Sequence, residues 1–215
     1  MATEDDTDVT VEFPKGVALS NYRGSYPVSF KLEKNESFVG ILEAVNDPNN
    51  IDGLIGGKLT STKDVAVISG STTGTNGTGS GHDYGIDQLV GTENAGEEFI
   101  FIRGESPKTV GGNPYYSIEN IVLVPLVAGT TYVANNGPAT PITGDYAVIE
   151  GDAYNNNDNM YVVTSDPVMA FQVIGGVPSR LNNPEPNQGM FVVPPLNCTA
   201  KGEINNIPFI NEIGP

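Results

Sequence analysis

His82 is the chain's only histidine, so any serine-histidine-acid chemistry would have to run through it. Ser71 and Ser80 are near in sequence, but neither sits in a G-x-S-x-G turn between strand and helix. Gly53 to Lys58, GLIGGK, has the outline of a phosphate loop and fails at both ends. Asp52 stands where the first glycine is required, and Leu59 replaces the hydroxyl that would hold magnesium. Glu97 and Glu98 are adjacent, so on a strand they face opposite sides, and nothing in the sequence selects a hydrolytic pair of carboxylates. With no acid, base or nucleophile assembled, the sequence reads as a non-enzyme.

Metal and sugar chemistry have better material. Zinc is disfavoured by one cysteine, Cys198, and one histidine. Calcium needs six to eight oxygens, and it is the one cofactor these residues would suit. Asp152, Asn156 and Asp158 in EGDAYNNNDN are one candidate ligand set, and Asp47, Asn49 and Asp52 are another. Neither matches the spacing of a defined calcium loop, and Asn and Asp are also ordinary turn residues. Sugar rings stack on exposed aromatic faces. Without tryptophan, the candidates are Tyr84, Tyr115, Tyr116 and Tyr154.

The elements that must hold these groups are short. Glycine (26) and proline (16) are frequent and lysine plus arginine total only ten, a mix that disfavours long helices. The 215 residues can bury a sizeable core. A net charge of −16 repels nucleic acid and anionic membranes, and no apolar run is long enough to insert into a bilayer. The start, ATEDDTD, is acidic and gives no signal peptide in this stretch, and Met1 before Ala2 reads as an added start on an excised fragment.

Alternating or apolar runs place strands at Val9–Phe13, Tyr26–Leu32, Ser37–Leu42, Val65–Ile68, Phe99–Ile102, Ile118–Val127, Thr130–Ala134, Asp145–Ile149, Met160–Val163, Val168–Ile174 and Met190–Val193. Val65–Ile68 reads as a buried strand that ends at Ser69-Gly70. Ser69 to Gly81 then reads as a polar glycine-rich loop, and Tyr84 to Val90 is the best helix candidate. Ser61 to Val67 weakly echoes Thr164 to Ala170, which points to two related halves near residues 1–104 and 105–195, followed by a tail from 196 to 215. The expected fold is all-β, antiparallel, in sandwich-like layers with very little helix.

The ordered phrases KDVAVISG, HDYGIDQL, GEEFIF, TSDPVMAFQV and MFVVPPLNC resemble the N-terminal domain of the IgGFc-binding protein family. Its bacterial relatives are large secreted or surface-anchored proteins, many in Bacteroidota that use type IX secretion. The resemblance implies a non-catalytic extracellular adhesion or interaction module of a larger bacterial protein, beside neighbouring domains of that protein. The ligand would be an extracellular protein or glycan. It brings no catalytic residue and no disulfide set to this chain. The alternative from the residues themselves is a carbohydrate-binding module assisted by calcium, with glycan hydrolysis behind it.

Overall fold

The computed structural model describes residues 1–14, 16–42, 52–74, 83–104, 109–110, 113–114, 119–174 and 189–196. These residues form antiparallel strands joined by turns, with two short 3-10 turns at Thr92–Asn94 and Gly151–Ala153 and no α-helix among them. Near the N-terminus, β1 (Thr7–Glu12) pairs on one edge with β2 (Val28–Leu32) and on the other with β3 (Lys58–Ser61). Ala2, Val9 and Leu32 form a small core there, backed by Val11, Phe30, Phe38 and Val65. Tyr146 joins this part to the larger sheet, since its hydroxyl donates to Asp52 Oδ2 at 2.8 Å.

The larger sheet is organised by β13 (Asn159–Ile174), a strand of 16 residues. A straight strand of that length would reach about 50 Å, more than a domain of this size can cover. It bends instead at Thr164–Pro167, where its register against β6 (Gly96–Ile102) slips. Proline lacks the amide that a ladder needs, and the Thr164 hydroxyl donates to the Asp166 carbonyl within the bend. The first arm of β13 lies between β6 and β10 (Thr131–Ala134); the second lies between β9 (Glu119–Pro125) and β14 (Gly189–Val192). β11 (Thr140–Pro141) and β12 (Ala147–Ile149) extend the two arms along β10 and β9. The β10–β11 turn carries Asn135 and Asn136 at φ 48° and 59°, as its Asn-Asn-Gly sequence demands.

The sheet therefore curls over itself with one apolar face inside. Phe99, Phe101, Met160 and Val162 from the first arm meet Ile121, Leu123, Ile149, Val168 and Ala170 from the second. Residues 150–158 cross between the arms and drop Tyr154 into the same core. Two further pairs complete the strands: β4 (Val67–Gly74) with β5 (Asp83–Leu89), and β7 (Thr109–Val110) with β8 (Asn113–Pro114). Among the described helices none is long and apolar enough to cross a membrane.

Five local expectations are corrected. Residues 37–42 form no strand: the Asn21 side chain donates to the Val39 carbonyl and accepts the Ile41 amide, in place of a neighbouring strand. The strand expected at Val65–Ile68 is not buried, since Ile68 is 68% exposed and Val65 makes only an isolated bridge to Ala2. Ser69–Gly74 continues β4 rather than opening a loop, while residues 75–82 lie outside the described set. The helix expected over Tyr84–Val90 is strand β5, because cross-strand pairing with β4 outweighs its local preferences. Met160–Val163 and Val168–Ile174 are one bent strand rather than two.

Candidate functional site

The β4–β5 ribbon has two unlike faces. On a strand alternate residues share a face, and directly paired residues share one too. Ile68 pairs with Gln88, and Gly70 with Ile86. Those four therefore share a face with Thr72 and Tyr84, and all six are exposed. On the opposite face Val67, Ser69, Asp87 and Leu89 are half-buried and Gly85 is buried. β5 lies beside β14, so that inner face is the anchored one.

The outer face is apolar along one stripe. Tyr84 is 66% exposed, Ile86 55% and Ile68 68%. Tyr84 and Ile86 are two residues apart on β5, and Ile68 lies diagonally across the pair from Ile86, within reach of a large side chain. Gly70 sits directly opposite Ile86, and here only glycine fits: a Cβ would stand 2.0 Å from the Gly85 carbonyl oxygen. The ribbon thus offers a flat backbone window bordered by two isoleucines and a tyrosine. Above Ser71 the register slips, which bulges the strand toward its tip.

Of the tyrosines expected to stack on sugars, only Tyr84 has its ring on a described surface. Tyr154 is buried in the core, with the Arg103 guanidinium 5.7 Å from its ring centroid. Tyr115 and Tyr116 lie outside the described residues, as do His82, Ser80, Asp47, Asn49 and Cys198. In the loop with Asp152, Asn156 and Asp158, Asn155 is the organising residue. Its side-chain oxygen accepts the Asn157 amide at 2.8 Å, and its amide donates to Asn159 Oδ1 at 2.6 Å. Asp158 takes φ 57°, and its carbonyl accepts the Arg103 amide. Among the described residues no three His, Cys, Asp or Glu side chains gather as a metal site. Those protein hydrogen bonds account for the shape of the loop.

A buried polar cluster was not legible in the sequence. Glu119 is only 2% exposed, at the start of β9. Its Oε1 accepts the Gln172 side-chain amide at 2.5 Å and the Gly104 backbone amide at 2.7 Å. The same Gln172 amide donates to the Ile102 carbonyl at 2.8 Å. β6 ends at Ile102 on the first arm while Gln172 lies on the second, so this cluster closes the curl. Nearby, Arg103 Nε and the Tyr154 hydroxyl find no hydrogen-bond partner among the described residues. Burial, and then the Glu119 carboxylate, hold the Tyr154 phenol well above its usual range, while Arg103 opposes them.

That shift has a sign. Tyr154 stays protonated in the fold above pH about 10, where the unfolded chain ionises. Its contribution is full below that pH and is lost as pH rises through the folded value. Tyr154→Phe should therefore make the alkaline loss of stability shallower in urea denaturation across a pH series. At neutral pH it should change stability by less than about 1 kcal/mol, since the hydroxyl it removes has no described partner.

The family model described as IgGFc binding protein matches residues 1–213. The chain belongs to that family. No curated protein and no solved structure matches it. IgGFc-binding membership makes this a binding, non-catalytic kind of domain, of a type that is typically extracellular. For the IgGFc-binding module the ribbon face, rather than a cleft with facing carboxylates, is the candidate site. The order of sequence phrases pointed to the family, and two of those phrases, KDVAVISG and HDYGIDQL, hold most of the ribbon.

Proposed function

We propose that this chain is an extracellular protein-binding module of a larger bacterial cell-surface or secreted protein, and that it engages its ligand through the outer face of the β4–β5 ribbon. The observation that carries the reading is the stripe of Ile68, Tyr84 and Ile86 on a ribbon whose other face is anchored. Apolar side chains left in water at one place are a common mark of protein interfaces. A sugar site needs aromatic platforms with converging hydrogen-bonding groups. Here one tyrosine is flanked by two isoleucines, which offer sugar hydroxyls nothing. The family description names an Fc ligand, so immunoglobulin G Fc is the first probe.

Surface plasmon resonance over immobilised Fc is expected to show saturable binding. Ile68→Ser/Ile86→Ser should weaken it at least about tenfold, the loss of two buried aliphatic contacts, with the melting temperature unchanged. If the double variant binds as the parent does, the ribbon is not the docking face. A glycan array that lights up and goes dark with Tyr84→Ala alone would favour the carbohydrate reading instead.

A further inference from the structure

Away from the ribbon, the end of β1 and the following segment enclose an open depression of about 450 Å3, lined by Glu12, Phe13, Gly16, Val17, Tyr26 and Pro27. Its volume falls in the range of small-ligand and side-chain pockets. The Tyr26 wall is fixed from behind. The Tyr26 hydroxyl accepts the Leu19 amide at 2.5 Å. Its ring meets Tyr22 edge-on at 5.8 Å, Tyr22 meets Phe38 edge-on at 6.2 Å, and Phe38 stacks on Phe30 at 4.2 Å. The ring is thus held in place before any ligand arrives, yet remains 42% exposed.

Glu12 is the one charged side chain among the described lining residues. It makes no ion pair and no side-chain hydrogen bond with any described residue. Lys58 pairs with it in the strand register without forming an ion pair. The Tyr26 hydroxyl accepts from Leu19 and keeps its own proton to donate, so the polar side-chain chemistry left on the described lining is one carboxylate and one hydroxyl donor. That set is too sparse for a sugar, whose hydroxyls need several converging partners. It suits a group with an apolar stem, a flat or compact cation and one pairing site.

We infer that this depression receives an arginine or lysine side chain from a basic segment of a partner protein. The stem lies against Phe13, Val17 and Pro27, the cation faces the Tyr26 ring, and Glu12 pairs its head. The chain's net charge of −16 draws such segments toward it. This site is separate from the ribbon and does not depend on it.

The test is calorimetric titration of the full chain with capped tetra-arginine, tetra-glutamate and tetra-serine peptides. Only tetra-arginine should bind, and more weakly as salt is raised. Glu12→Gln should weaken it by about fivefold to tenfold, and Tyr26→Leu by about threefold or more. Lys58→Ala and Lys15→Ala remove the amine paired with Glu12 in register and the one nearest it in sequence. Both should tighten binding or leave it unchanged. Binding that survives Glu12→Gln undiminished would overturn the inference, because it would then be the diffuse charge of the chain that attracts the peptide. The inference also fails if no arginine peptide binds, if Lys15→Ala abolishes binding, or if a neutral oligosaccharide occupies the depression and depends on Tyr26. Should Tyr26→Leu unfold the loop, Glu12→Gln still decides.

Discussion

Phe101→Ala is expected to lower the unfolding free energy by about 4 kcal/mol, and the melting temperature by about 10 °C. Phe101 and Phe99 are the two fully buried rings of β6, with centroids 6.1 Å apart. They point inward on the first arm and fill the space against Ile121 and Leu123 of the second. Truncation removes the transfer energy of the ring and leaves a cavity that two hydrogen-bonded arms cannot close. Ile102→Ser, on the same strand but 69% exposed, should change stability by less than about 0.5 kcal/mol. Chemical denaturation of both variants checks the curl directly, since similar losses would mean that β6 does not sort its side chains between core and solvent.

Glu119→Leu should cost about 3 kcal/mol. It leaves the Gly104 amide without its acceptor and takes from Gln172 its bond to a buried carboxylate. The useful comparison is the double variant Glu119→Leu/Gln172→Leu. Replacing both partners by apolar groups removes the Glu119–Gln172 bond from both sides, while the Gly104 amide and the Ile102 carbonyl stay unmet, so it should cost less than the two single losses added. Strict additivity in that cycle would mean that the two side chains act independently and that the seam of the curl is held elsewhere.

Much of this fold could be read from particular residues. Phe99 to Ile102 and Val168 to Ile174 announced core strands because bulky apolar residues recur there, and the turn after Ala134 suits Asn135 and Asn136 because asparagine tolerates the positive φ it takes. What failed did so for physical reasons. Thr164-Ser165-Asp166-Pro167 has turn composition, yet a strand can carry such residues as a bend when its neighbours keep pairing on both sides. Ser69 to Gly74 looked too polar and too rich in glycine for a strand, but a ribbon with one exposed face needs little apolar content. Residues 37–42 have strand composition and lack a strand partner, a fact fixed by the remote Asn21.

The candidate sites were less legible than the fold. Tyr84 is one of four tyrosines offered as stacking rings. That Ile68 lies diagonally across the ribbon from Ile86 depends on the register of β4 against β5, which composition cannot give. Tyr154 looked like Tyr84 in sequence and lies in the core, because the crossing residues 150–158 carry it inward. Glu119 and Gln172 are 53 positions apart and meet only when the sheet curls.

On the reading proposed above, the outer face of the β4–β5 ribbon is the docking surface. The most direct measurement is amide hydrogen exchange of the chain alone and saturated with Fc. New protection is predicted within residues 67–72 and 84–89, with exchange in the core strands β6, β9 and β13 unchanged. Protection confined to other strands, or an exchange pattern that Fc does not alter, would contradict it.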